Sequence, residues 1–140
     1  MAKQLNRPFY DADDEFSATY ERSPAEIINT DGEECFRQME HQVAERLGKL
    51  SGAVISCGGG VVTREYNYPS LHQNGTIIFL ERALENLATK GRPLSQAGSL
   101  EALYKSRIDA YRRFADITVA STEEPEATAR LMIKKLGEIQ

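Results

Sequence analysis

Residues 53–60 run Ala-Val-Ile-Ser-Cys-Gly-Gly-Gly. The first five carry no charge and follow a glycine, a compact pattern that predicts a buried strand of a parallel sheet. Three consecutive glycines lose much backbone entropy when they become ordered. Directly after a strand they therefore indicate either a plain tight turn or a place where the backbone approaches a ligand. This stretch alone leaves both interpretations open.

Strand and helix patterns alternate on either side of this stretch. Further short apolar runs predict strands at residues 8–10, 76–80 and 117–119. Three-to-four-residue apolar spacing and capping residues predict helices from Ser23 and over 33–50, 84–88, 100–114 and 125–139. The alternation predicts a three-layer α/β/α architecture with a mostly parallel sheet. Ligands of such folds bind beyond the carboxyl ends of the strands.

Length and composition narrow the function classes. A chain of 140 residues predicts a single domain, 1–140. The net charge of −4 gives no bulk attraction to nucleic acid or to an anionic membrane, and no apolar run approaches the roughly 20 residues of a membrane span. The two cysteines lack metal-ligand spacing. A reducing, cytoplasmic setting is therefore expected.

Acidic residues follow the strand at 8–10. Asp11 and Asp13 share a face if the strand geometry persists, so that one carboxylate can hold a metal through water while the other faces a substrate hydroxyl. The alternative is structural: Asp13 or Asp14 caps a helix and the remaining acidic residues lie in a solvated turn.

Three arginines are candidates for binding an anion. Arg37 has Glu40 at the i+3 position, a spacing that lets the carboxylate hold the guanidinium. Arg92 lies in the glycine-flanked segment 89–99, which is predicted to be a mobile lid. Arg107 lies on the predicted helix 100–114. Taken singly, each is more often a solvated surface residue.

The order of the motifs is more specific than any one of them. Asp-x-Asp, Gly-Glu-Glu-x-Phe-Arg-x-x-Glu, Gly-Gly-Gly, Gly-Arg-Pro-Leu, Tyr-x-x-Arg-x-x-x-Tyr and Ala-Asp follow one another along the chain. In this order and spacing the sequence resembles shikimate kinase over nearly all its length. The resemblance implies a P-loop kinase fold and transfer of the γ-phosphoryl group of ATP to the 3-hydroxyl of shikimate, with Mg²⁺, in aromatic amino acid (chorismate) biosynthesis.

The resemblance also implies a role for each candidate residue. Asp11 organises Mg²⁺ through water, and Asp13 binds shikimate hydroxyls and acts as general base. Arg92, from the lid, reaches the phosphates. The implied contacts to shikimate, apart from Asp13, are made by Arg37, Glu40, Gly58, Gly59, Gly60 and Arg107. A planar guanidinium suits the carboxylate of shikimate because it donates two parallel hydrogen bonds.

One family motif is absent from the 140 residues: no Gly-x-x-x-x-Gly-Lys-Ser/Thr string occurs. We therefore expect the first strand, the P-loop and most of the first helix to be missing, and ATP binding, activity and stability to be reduced. Two alternatives stay open, a catalytically inactive shikimate-binding or regulatory homologue and another small-molecule P-loop kinase such as a gluconate kinase. The family resemblance implies a monomer.

Overall fold

The computed structural model describes residues 1–81 and 94–139. The helices are α1 (Ala2–Leu5), α2 (Ala12–Tyr20), α3 (Pro24–Asp31), α4 (Glu33–Gly48), α5 (Asn67–His72), α6 (Leu94–Phe114) and α7 (Pro125–Ile139), with a 3-10 helix at Gly59–Thr63. The strands are β1 (Phe9–Asp11), β2 (Val54–Ser56), β3 (Ile78–Glu81) and β4 (Ile117–Ala120). The chain divides into two compact units, Ala2–Gly75 and Thr76–Gln140, which we call the N-terminal and C-terminal units.

The N-terminal unit holds a parallel pair of strands. Strand β1 pairs with β2, and the register places Asp11 opposite Ser56. The carboxyl ends of both strands are therefore level, and the residues that follow them start from neighbouring positions.

The core of this unit lies between its helices. Helix α4 packs against α2, α3 and α5. The side chains of Phe16 and Phe36 meet edge to face, with ring centroids 5.3 Å apart. The buried members of the core are Phe16, Ile27, Phe36, Val43 and Leu47. The apolar stripe predicted on residues 33–50 thus forms one side of this core.

The C-terminal unit holds the second parallel pair. Strand β3 pairs with β4 from Ile78 opposite Ile117 onward. Asp116, from the Ala-Asp motif, accepts a hydrogen bond at Oδ2 from the Ile77 amide over 2.8 Å, which ties the starts of the two strands together. Helix α6 packs on β3, where the rings of Phe79 and Tyr111 stack at 5.1 Å, and α7 packs on β4.

The sequence predictions are met in part. Strands form at all four predicted places, with ends shifted by one or two residues, and the α/β class is confirmed. The helix predicted over 100–114 begins earlier, at Leu94, so that residues 94–99 of the predicted lid are helical. The predicted helix 84–88 and the lid residues 89–93 lie outside the described residues. Helix α5 and the 3-10 helix were not predicted, and α2 corresponds only to the alternative in which a helix follows the acidic residues. Within residues 1–81 and 94–139, no helix is long and apolar enough to cross a membrane.

Candidate active site

The end of strand β1 orients the first acidic residues. Asp11 is the N-cap of α2, and its Oδ1 accepts hydrogen bonds from the amides of Asp13 (2.9 Å) and Asp14 (3.2 Å). The expectation that Asp13 or Asp14 would be the capping residue is therefore wrong, because the short Asp11 side chain reaches the free amides of the first turn. Asp13 lies on that first turn, and its own carboxylate takes no part in the cap.

The strand register brings Asp13 to the triple glycine. Asp13 follows Asp11 by two residues, as Gly58 follows Ser56, and Asp11 lies opposite Ser56. A Cβ atom built on Gly58 would lie 3.4 Å from Asp13 Oδ1 and 3.9 Å from Glu40 Oε2. Two carboxylates therefore flank the start of the glycine segment, and they line one pocket together with Cys57.

Arg37 lies deep in the same region. Its side chain is only 8% exposed, and Nη1 donates to Glu40 Oε1 over 2.9 Å while Nη2 donates to Glu33 Oε1 over 3.5 Å. The guanidinium also lies over the Phe36 ring, with Cζ 5.0 Å from its centroid. Arg37 Nε is buried and has no hydrogen-bond partner among the described residues. A buried donor without a partner is rare in folded proteins.

Gly60 lies directly against this guanidinium. A Cβ atom at position 60 would lie 2.7 Å from Arg37 Nη2 and 2.8 Å from Cζ, closer than van der Waals contact permits. Glycine at position 60 is thus explained by the proximity of the arginine, since the backbone there has no left-handed φ to favour it. The close contact at Gly60 is with the side chain of Arg37, so it does not decide between the two interpretations of the triple glycine, a tight turn and an approach to a ligand.

The acidic residues perturb one another. Desolvation raises the pKa of Asp13, and the nearby charges of Asp11 and Asp14 raise it further. Cys57 is exposed as a residue, but its sulfur lies among neighbouring atoms of the pocket, and this desolvation, followed by the carboxylates of Glu40, Asp13 and Asp11, raises the pKa of the thiol to about 11. In both cases desolvation is the larger cause, and the neighbouring carboxylates raise the pKa further because they disfavour a second negative charge beside them.

The predicted site residues thus fall into three groups. Asp11, Asp13, Arg37, Glu40 and the three glycines 58–60 lie in the N-terminal unit, and all but the exposed Gly59 are tied together by the contacts above. Arg107 is half-buried on α6 of the C-terminal unit. Arg92 lies outside the described residues. Among residues 1–81 and 94–139, no group of three or more His, Cys, Asp or Glu side chains is arranged to hold a metal ion.

Comparison with known proteins agrees with this geometry. The profile of the family described as shikimate kinase matches residues 1–137. The chain belongs to the shikimate kinase family. The shikimate kinase of Thiobacillus denitrificans is 35% identical, with 97% of this chain and 80% of the relative aligned. The shikimate kinase of Neisseria meningitidis serogroup C is 34% identical, with 98% of this chain and 85% of the relative aligned.

Solved structures agree on the fold. The shikimate kinase of Aquifex aeolicus superposes with a TM-score of 0.81 at 29% identity, covering 97% of this chain and 84% of that one. The Acinetobacter baumannii enzyme, solved with shikimate bound, superposes with a TM-score of 0.80 at 24% identity, covering 98% of this chain and 83% of that one. The P-loop kinase fold is therefore confirmed, and the relatives indicate that this shikimate kinase family member is a phosphotransferase.

Two features of this shikimate kinase family member were missed in the sequence. Glu33 precedes Arg37 by one helical turn, and its i, i+4 spacing was available as a signal. Asn67 is fully buried and bonded both to His41 and to the backbone of Val61. Nothing in the local pattern predicts that bond, because the partners are 26 and six residues away in sequence.

Proposed function

We propose that this chain binds shikimate at the site formed by Asp13, Arg37, Glu40 and Gly58–Gly60. In the complete reaction the shikimate 3-hydroxyl gives its proton to Asp13 while its oxygen attacks the γ-phosphorus of ATP, and ADP leaves. ATP is the phosphate donor of the family. Shikimate, bound by the Acinetobacter relative, is the small-molecule substrate.

The observation that carries the proposal is the buried guanidinium of Arg37. It is held by two carboxylates and by Gly60, yet Nε is buried without a partner among the described residues. A substrate carboxylate supplies the acceptor that this donor lacks, and charge-assisted bonds to guanidinium are among the stronger polar contacts. We assign Arg107 as the second arginine of the carboxylate site, by family resemblance.

Asp13 suits the role of base. Its raised pKa moves the carboxylate toward the operating pH, where a general base is most effective. Asp11 would hold Mg²⁺ through water, which agrees with the preference of this ion for one or two carboxylates, substrate phosphates and retained waters. Mg²⁺ would neutralise charge on the phosphates. Arg92 would approach the phosphates from the lid.

The 140-residue sequence contains no P-loop string, and backbone amides and a lysine of that loop normally hold the phosphates. For these 140 residues by themselves we therefore propose weak ATP binding and low turnover. The same observation favours a second candidate function, a shikimate-binding homologue without catalysis. A monomer in the cytoplasm remains the prediction from the sequence.

Calorimetry with shikimate tests the binding site. We expect the 140-residue chain to bind shikimate and Arg37→Met to weaken binding about 30-fold or more, since a charge-assisted, bidentate contact contributes about 2 kcal/mol or more. Arg22→Met is the matched control, because Arg22 is a more exposed arginine that pairs with Asp31 at 3.0 Å. Equal affinity of the wild type and the Arg37 variant would contradict the proposal.

Turnover separates the two candidates. A coupled assay of ADP release with shikimate is expected to give little activity for the 140 residues, whereas binding of shikimate persists. Tight ATP binding and rapid turnover would refute the expected impairment and support an active kinase. Gluconate is tested in the same assay and in calorimetry, because a gluconate kinase is the remaining alternative. Tighter binding of gluconate than of shikimate would overturn the substrate assignment.

A further inference from the structure

A polar pair, the buried Asn67 and the half-buried His41, lies next to the glycine segment and outside the site described above. Asn67, the first residue of α5, is fully buried. Its Oδ1 lies 2.8 Å from Nδ1 of His41, on α4, and its Nδ2 donates to the Val61 carbonyl over 2.9 Å. One amide therefore joins two helices to the 3-10 helix that contains Gly59 and Gly60.

The direction of these bonds fixes the histidine tautomer. Because Nδ2 of Asn67 donates to a carbonyl, Oδ1 faces His41, and Nδ1 of His41 must carry the proton. Nε2 then lies 3.7 Å from Glu45 Oε2, and the ring packs edge-on against Tyr66 at 4.6 Å. The ring is thus held by its packing against Tyr66, since the pair with Glu45 forms only when Nε2 is protonated as well, and Nδ1–H is the donor that orients Asn67.

The glycine segment has few restraints of its own. Three successive glycines can take up many backbone conformations, so a single conformation must be imposed by neighbouring groups. The Val61 amide donates to the Gly58 carbonyl over 3.2 Å, and the Thr63 hydroxyl donates to the Gly60 carbonyl over 2.6 Å. The bond from Asn67 to the Val61 carbonyl ties the middle of this turn to helices α4 and α5, while the Arg64–Glu34 pair at 2.8 Å ties its end to α4.

We propose that His41 is a positioning residue, whose Nδ1–H holds the glycine segment through Asn67. The segment is thereby kept in the conformation in which Gly60 contacts the guanidinium of Arg37 and Gly58 lies beside Asp13. A preordered segment lowers the entropy lost when a ligand binds. His41 itself touches no ligand. The expected effect of His41 on affinity rests on the proposed shikimate site. The expected effect of His41 on the backbone of the glycine segment does not depend on that site.

Two isosteric variants of His41 separate the donor from the ring. The amide nitrogen of asparagine matches the position of Nδ1, so His41→Asn keeps the bond to Asn67. The amide nitrogen of glutamine matches Nε2, so His41→Gln loses that bond. His72→Gln is the control, since this histidine lies at the end of α5, where its ring stacks on Tyr68 with centroids 5.1 Å apart.

The measurements are amide hydrogen exchange at Val61 by NMR without ligand, and the shikimate dissociation constant by calorimetry. For His41→Gln we expect about fivefold faster exchange at Val61 and about fivefold weaker binding, the size expected for one lost hydrogen bond. For His41→Asn and His72→Gln we expect both values within about twofold of wild type.

Each other outcome has a definite meaning. Equal effects of His41→Asn and His41→Gln would overturn the proposal, because ring packing and not the Nδ1 donor would then be responsible. Weaker binding of His41→Gln without faster exchange would also overturn it. If the wild type binds no shikimate, the proposed function fails, but the exchange measurement still decides whether His41 holds the glycine segment.

Discussion

Replacing Gly60 by alanine tests the contact between the glycine segment and Arg37. The added methyl would lie 2.7 Å from Nη2 and 2.8 Å from Cζ of Arg37, and ordinary contact begins at about 3.4 Å. The guanidinium would have to retreat by about 0.7 Å, since the backbone of Gly60 is fixed by its hydrogen bond to Thr63.

That displacement breaks the pair with Glu40. Arg37 Nη1, the atom nearest the added methyl, is also the donor to Glu40 Oε1 over 2.9 Å, and a shift of about 0.7 Å along that bond would lengthen it to about 3.6 Å, beyond hydrogen-bond range. A hydrogen bond to a charged group contributes about 1.5–3 kcal/mol to stability. Replacing glycine by alanine offsets about 0.4–1 kcal/mol of this loss, because alanine lowers the conformational entropy of the unfolded chain. We expect a net loss of about 1–2 kcal/mol in the free energy of unfolding. Misplacing the guanidinium should weaken shikimate binding about 30-fold.

Calorimetry and denaturant unfolding measure the two effects in the same variant. Gly137→Ala is the matched control, because no atom lies within 4 Å of its added methyl. That helical substitution should raise stability by up to about 1 kcal/mol and leave the affinity unchanged. If Gly60→Ala binds shikimate within twofold of the wild type, the guanidinium is not positioned by this glycine and the reasoning fails.

Three further predictions follow from the same region. Gly48→Ala should lower the free energy of unfolding by about 3 kcal/mol or more in denaturant unfolding. The added methyl would overlap the carbonyl oxygen of Ser70 and lie 2.8 Å from the carbonyl carbon, and backbone atoms cannot move aside as a side chain can. A loss below about 1 kcal/mol would contradict this reasoning. Asp13→Asn should raise Tm at pH 7. A raised pKa means that the folded state binds the proton more tightly, so the stability contributed by Asp13 falls as pH rises from its ordinary pKa of 3.8 through the raised value; an unchanged gain in Tm at pH 3 would contradict the sign. Cys57, with a pKa of about 11, should react with iodoacetamide at pH 8 about ten- to thirtyfold more slowly in the folded chain than in guanidinium chloride; equal rates would show that the thiol is not shielded.

Short-range patterns predicted most of the fold because each strand is a compact apolar run, with an acidic last residue in β1 and β3, and α4 carries a regular apolar stripe. The pairing of Asp13 with Gly58 was also accessible, since each follows its strand by two residues and parallel strands end at one edge. Helix α2 was predicted only as an alternative because its acidic start resembles a solvated turn, and only the cap made by Asp11 shows that a helix begins there. The bond from His41 through Asn67 to Val61 was not accessible, because it depends on how α4, α5 and the 3-10 helix pack.

The burial of Arg37 is better explained by binding than by stability. A buried ion pair gives little net stability compared with apolar residues of similar volume, and the unit already buries Phe16, Phe36 and Val43 nearby. An unpartnered buried donor such as Arg37 Nε disfavours the folded state by about 1–3 kcal/mol. An arginine retained at this depth, with two glutamates to hold it and a glycine to make room for it, weakens the free protein. It is also a cation already desolvated and oriented, which is the state that recognition of a small carboxylate requires.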